Sequence, residues 1–420
     1  MSALPPGSLD PMRVIFIYFG PFNVNSAIQA FHFGNDLTDL GWSVTLAGVG
    51  DPKLIRKVGE PRFECITHHD LPVTLEASRR APEPTIVCAW TPRENVRRAT
   101  VAFTSRDAIP YVVHLEDNEE FLLEAAVRHS VEELRRLPPA EQQALIGEET
   151  LIHPSRYRDF LAGAAGITMI TEELNEFNLG GRPHHVARPG IDSQRFRPEL
   201  EPVISRASLG LEPDDFVIVY HGTVHYANQH EMLSLYLSIK LLQRRGRRVR
   251  LVRLGETELG GVDARSFGAL RDGVVELGSV EWREIPGYLA LADAFVQPGA
   301  ADEFNRYRLP SKLPEFLAMG RPVVLPDCNI GHDLSDGENA LLLERGDGRE
   351  IATRIEALID DPALVARLGE GARRFALENL SWEDNSMGLA RFLSQVAAEH
   401  AASGAAPPRR PARPRTVAGR

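Results

Sequence analysis

YRLPSKLPEFLAMGRPVVLP, running from Tyr307 to Pro326, reads as a short helix that feeds directly into a buried strand. Pro310 suits a first helical turn, where its missing N–H costs nothing. Leu313, Phe316 and Leu317 recur at helical spacing as one apolar stripe. Gly320 stops the helix, and Val323, Val324 and Leu325 form a strand closed by Pro326. A helix N-terminus offers free N–H groups and partial positive charge, which suit phosphate. Arg308 and Lys312 add full charge there, and Glu315 lies one turn beyond Ser311. Phosphates near Ser311 with a ribose on Glu315 would describe a nucleoside diphosphate. An amphipathic helix with solvated charges is the plain alternative.

The same alternation of strand and helix runs through the chain. Arg13–Phe19 is an apolar run broken by Gly20, Pro21, Asn23 and Asn25; Ala27, Ala30, Phe31, Leu37 and Leu40 follow at helical spacing, and Ser43–Gly48 is the next strand. Such a unit gives a parallel sheet with a right-handed crossover, and its first loop lies where ligands bind. That loop lacks GxGxxG, so it is no dinucleotide fingerprint. Thr85–Ala89, Tyr111–His114 and Gly166–Thr171 continue the series, with a charged helical hairpin expected over Phe121–Glu149, interrupted at Pro138-Pro139. Residues 199–214 read as a polar linker. Phe216–Tyr220, a helix over Gln229–Arg245, Arg250–Leu254, Val274–Leu277, Ala294–Gln297 and Pro322–Leu325 form a second set. The expected fold class is α/β: two doubly wound, Rossmann-like parallel-sheet domains, 12–198 (helical insertion about 121–158) and 215–380, facing one cleft. A closing helix over 381–396 follows, and residues 1–11 and 397–420 read as a leader and a disordered tail.

Composition sets outer limits. The chain has 420 residues and a formal net charge of -11, which argues against a general nucleic-acid partner. Cys65, Cys88 and Cys328 lie far apart without a CxxC pair, which fits a reducing cytoplasm. No apolar run reaches membrane-spanning length. Arg93, Arg97 and Arg98 form a basic patch suited to an anionic membrane or an anionic acceptor, and the arginine-rich tail could touch anionic lipid. Thr67-His68-His69-Asp70 reads as a loop rather than a metal site, and no metal cluster stands out. Oligomeric state is not legible.

Pro310–Val324, PSKLPEFLAMGRPVV, resembles the donor-binding helix of retaining glycosyltransferases of the GT-B fold, especially glycosyltransferase family 4. ARPGIDSQRFRP, Ala187–Pro198, is similar to the segment that closes the N-terminal domain in that family. There Gly190 would turn the chain, Asp192 would cap backbone and Phe196 would plug the core. The resemblance implies a metal-independent transfer from a nucleotide diphosphate sugar, UDP- or GDP-linked, with no other cofactor. The acceptor would be a glycan, lipid-linked or natural-product molecule, as in polysaccharide biosynthesis.

The resemblance also assigns residues. Gly222, Thr223, His225, Glu303, Asn305, Arg308, Ser311, Lys312 and Glu315 would hold the donor, with Glu315 on the ribose. Asn25, Ser26, Arg93, His114 and Asp117 would face the acceptor, and His114, Arg308 and Lys312 would carry the catalysis through positioning and charge. Two departures bear on this. Tyr307 stands where many members have a first Glu, so Glu303 fills that role only with a four-residue insertion; Asp302 is a further candidate. The loop HGTVHYANQHE lacks the usual Arg and Lys, so Arg308 and Lys312 are expected to take over the diphosphate. A non-catalytic sugar- or nucleotide-binding protein of the same fold, or an inverting enzyme or epimerase, are the rival readings.

Overall fold

The computed structural model describes residues 9–403 except 106, 148, 226 and 259–261. The first lobe is built on β1 (Arg13–Tyr18), β2 (Ser43–Gly48), β3 (Glu64–Thr67), β4 (Thr85–Trp90), β5 (Tyr111–Leu115), β6 (Gly166–Met169) and β7 (His184–Val186). The second is built on β8 (Phe216–His221), β9 (Val249–Leu254), β10 (Val274–Gly278), β11 (Ala294–Val296), β12 (Val323–Pro326) and β13 (Leu341–Leu343). The spatial orders are β3-β2-β1-β4-β5-β6-β7 and β10-β9-β8-β11-β12-β13. The neighbouring strands in both sheets pair in parallel.

Central strands such as β1 and β4 are buried along nearly their whole length because helices cover both faces of each sheet. The strand order reverses between β1 and β4 and between β8 and β11. Loops at such points splay apart and leave a crevice beyond the carboxyl ends of the strands. The loops after β1 and β4, and after β8 and β11, therefore flank the crevices in which a site can form.

Several sequence expectations need correction. The edge strands β3, β7 and β13 were not legible as strands, since β3 and β7 are short and half-exposed and carry no continuous apolar run. The expected helical hairpin is three short helices, Glu119–Val127, Val131–Arg136 and Pro139–Ile146. Arg128 ends the first in the left-handed region at φ 58°, Ser130 caps the second in a reciprocal box with Glu133, and Pro139 opens the third. The linker is tied down, with Arg206 donating to the Leu291 carbonyl and the Asp293 carboxylate. The last helix, Trp382–Ala402, does not stop at 396: Val396 and Ala397 are buried and His400 Nε2 meets the Ala108 carbonyl at 2.8 Å. The rest of the expected tail, from 404, and residues 1–8 lie outside the described residues.

That last helix returns to the first lobe. Trp382 stacks on His32 at 4.4 Å and 13°, and Ser386 Oγ donates to Asp36 at 2.6 Å. Asp192 accepts from the Gln194 and Arg195 N–H groups, and Phe196 is buried in the core. Gly190 lies against the start of the returning helix: a Cβ there would sit 2.5 Å from Trp382 N and 2.6 Å from its ring. Gly190→Ala is expected to destabilise the protein by about 1–3 kcal/mol through overpacking. Chemical denaturation checks this, and an unchanged midpoint contradicts it.

Candidate functional site

A cavity of about 650 Å³ lies between the lobes at the carboxyl ends of both sheets. Its second-lobe wall starts where β8 ends. Gly222 has φ +144°, a conformation that glycine takes without strain. A Cβ there would lie 3.1 Å from Lys312 Cε and 3.2 Å from Nζ, so the missing side chain leaves room for the ammonium group. Asn228 braces this loop, accepting from His225 N–H and donating to the Thr223 carbonyl. Thr223 and His225 line the cavity, and burial holds the His225 ring below its usual pKa.

The two expected cations differ. Lys312 Nζ lies 4.9 Å from the Tyr220 ring centre, faces the cavity, and forms no ion pair among the described residues. Arg308 also lines the cavity, but its guanidinium meets both Glu231 oxygens at 2.7 and 2.9 Å, bonds Asn305 Oδ1 and lies over Phe304 at 4.0 Å. The helix is Lys312–Ala318, only seven residues, and Ser311 caps it without a side-chain bond. Anion attraction therefore rests on the Lys312 side chain more than on the helix terminus. Glu315 lines the cavity with Oε2 2.6 Å from His221 Nε2, while Oε1 makes no hydrogen bond among the described residues.

The first-lobe wall is acidic. Ser26 Oγ donates to Glu116 Oε2 at 2.5 Å and Trp90 Nε1 donates to Oε1 at 2.8 Å. Asp117 lines the cavity with its carboxyl raised from 3.8 to about 7. Burial is the main cause, reinforced by Glu119 and Glu116 and opposed by Arg93 and by Arg308 of the facing lobe.

Of the expected site residues, Ser26, Asp117, Gly222, Thr223, His225, Arg308, Ser311, Lys312 and Glu315 line one cavity. The side chain of Asn25 lies outside the described residues. Four others are placed elsewhere. His114 does not line the cavity: it is 1% exposed, packs its ring on Trp90 at 4.2 Å, bonds Thr168 through Nδ1, and burial lowers its pKa to about 3. Arg93 lies over the Phe19 ring and pairs with Glu119 at 3.1 Å. Glu303 points to solvent, with its side chain 74% exposed, because the inserted turn Glu303–Arg306 carries it out of the crevice. Asn305 is buried and bonds Glu231 and Arg308, so it braces the wall rather than lining it. Glu231, His221 and Gln29 line the cavity and were missed. Glu231 meets an arginine 77 positions away, a pairing with no local signature, whereas His221 at a strand end next to Gly222 was a usable signal.

Residues 215–361 match the family model for glycosyl transferases group 1. That match falls on the second lobe. A curated relative, the D-inositol 3-phosphate glycosyltransferase of Rhodococcus opacus, is 28% identical over 270 residues, covering 60% of this chain and 55% of that protein. The chain spans about half the length of the curated relatives it matches. Among solved structures, HepE of Anabaena in complex with UDP superposes with TM-score 0.68 at 15% identity, covering 91% of this chain and 100% of that one. The sucrose-phosphate synthase of Thermosynechococcus elongatus gives 0.64 at 14% identity, covering 92% and 100%. At these identities the likeness carries the fold, which is GT-B, as the resemblance of Pro310–Val324 implied.

The raised Asp117 carboxyl has a thermodynamic consequence. Its folded pKa lies above the unfolded one, so its contribution to stability is present below pH 4 and is lost as pH rises through about 7. Asp117→Asn is expected to gain stability relative to the parent protein as pH rises from 4 to 8. Unfolding midpoints across that range check this, and a pH-independent difference contradicts it.

Proposed function

We propose that the protein is a retaining, metal-independent glycosyltransferase that moves a sugar from a nucleoside diphosphate sugar to an acceptor bound on the first lobe. The observation that carries this reading is the Lys312 ammonium, without an ion pair among the described residues, held against Gly222 at the strand-order reversal of the second lobe, with Glu315 in the same wall. The diphosphate lies against Lys312 and the Gly222–Thr223 backbone, with Arg308 beside it. Glu315 accepts a ribose hydroxyl through its unengaged Oε1. As the sugar–phosphate bond breaks, negative charge grows on the leaving diphosphate and a fixed ammonium stabilises it. The acceptor hydroxyl enters from the Glu116 and Asp117 side, on the same face as the leaving group, and the departing phosphate oxygen takes its proton. That path gives retention without a protein nucleophile, and in this scheme Lys312 and Arg308 supply the positive charge.

The HepE structures hold UDP and, in another, UDP-glucose, which favours a uridine donor here. No helix among the described residues is long and apolar enough to cross a membrane. We place the reaction in the cytoplasm, in line with three unpaired cysteines. A binding-only role is the second reading, and the Arg308–Glu231 pair favours it, because that arginine is already neutralised.

Calorimetry with UDP, GDP, ADP and dTDP tests the donor site. Lys312→Ala is expected to weaken the best binder by about 10- to 150-fold, the equivalent of losing about 1.5–3 kcal/mol of charged hydrogen bonding. Unchanged affinity discards the diphosphate assignment. Transfer or donor hydrolysis above background discards the binding-only role.

A further inference from the structure

We propose that the acceptor is an uncharged, hydroxyl-rich molecule, a sugar or polyol without phosphate or carboxylate, received by Gln29, Glu116 and Asp117. The inference rests on the glycosyl-transfer reading and narrows it to an acceptor class. Gln29 is 7% exposed, lines the cavity, and its Oε1 has no hydrogen-bond partner among the described residues. A buried polar atom in that state marks a place where a ligand group completes the bonding. Gln29 stands three positions after Ser26 on the helix Asn25–Asp39, so both residues lie on one face. Ser26 is bonded to Glu116, which is itself 6% exposed and lines the same wall. Asp117 follows it and forms no hydrogen bond among the described residues. The wall is therefore rich in oxygens, with an Asp117 carboxyl that burial raises to about 7, and its natural complement is a set of hydroxyls, which both donate and accept.

The charges around it point the same way. Arg93 is taken by Glu119 and the Phe19 ring. Arg195 lies 3.3 Å over the Trp282 ring and donates to the Trp282 carbonyl. Arg188 is paired with Asp333 at 2.7 Å. His32 faces the cavity as a neutral ring, since burial lowers its pKa to about 4. Lys312 and Arg308 belong to the donor wall. An acceptor phosphate on the first lobe would face the Glu116 and Asp117 carboxyl groups, while the arginines beside them are already held by a carboxylate, a ring or a carbonyl, an arrangement that favours an uncharged ligand. Relatives named for D-inositol 3-phosphate carry a phosphorylated acceptor in their name; the first-lobe wall of this chain is built for the opposite.

The full chain, with the nucleotide sugar it turns over fastest, tests this against matched pairs: myo-inositol with D-inositol 3-phosphate, glucose with glucose 6-phosphate, and N-acetylglucosamine with its 6-phosphate. Product is counted by mass spectrometry. The expected result is transfer to neutral members at least tenfold faster than to their phosphates. Gln29→Leu should raise the acceptor KM about tenfold with the nucleoside diphosphate Kd unchanged, and Gln29→Glu should restore part of the loss. The unchanged Kd also shows that the variant is folded. Faster transfer to the phosphorylated members overturns the inference. So does transfer to no neutral member by a protein that still hydrolyses donor, or an acceptor KM unmoved in Gln29→Leu. Failure to bind any nucleoside diphosphate instead sinks the donor reading on which this one stands.

Discussion

The close approach of the Lys312 ammonium to Gly222 is the contact on which the site depends. Two distant pieces of chain meet there: the end of β8 and the first turn of the Lys312–Ala318 helix. Glycine suits 222 through its φ of +144°, and a Cβ there would crowd the end of the lysine side chain. Gly255 repeats the device one layer below, since a Cβ there would lie 2.5 Å from the Gly222 carbonyl. The parallel sheet supplies the geometry, because only at a reversal of strand order do the two loops open toward a crevice. The cation stays available because Glu231, the nearby acidic residue of the next helix, is committed to Arg308.

The cavity is electrically divided. Its second-lobe wall has an uncommitted ammonium and a neutralised arginine; its first-lobe wall has Glu116 and Asp117. Such a division suits a reaction in which a dianionic leaving group stays on one side while an incoming hydroxyl is held on the other. Burial tempers the acidic half, since desolvation lifts the Asp117 carboxyl to about 7 and favours its neutral form. Contacts between the lobes keep the walls facing each other. Tyr307 Oη donates to Glu176 at 2.7 Å, and Trp382 carries the final helix back onto His32.

What could be read from residues alone follows physical lines. Long apolar strands such as β1, β2 and β8 and the helix–strand turn at Gly320 declare themselves through period and punctuation. Lys312 and Glu315 share that signal because they sit on the same short helix. Edge strands do not declare themselves, because β3 and β7 bury little and alternate weakly. His114 misled because a strand-end histidine looks the same whether it meets solvent or, as here, turns inward onto Trp90 and Thr168. Glu303 misled because a one-turn insertion swings it outward, and Gln29 was invisible because its meaning lies in an unfilled bond. Long-range pairing, as between Arg308 and Glu231, leaves no periodic trace.

A structure of the full chain with a nucleoside diphosphate bound puts the donor assignment to its sharpest trial. The phosphates should lie within hydrogen-bonding distance, about 2.7–3.2 Å, of Lys312 Nζ and the Gly222–Thr223 backbone, with a ribose hydroxyl on Glu315. A nucleotide seated away from the second-lobe wall, or one that leaves Lys312 and Glu315 untouched, contradicts it.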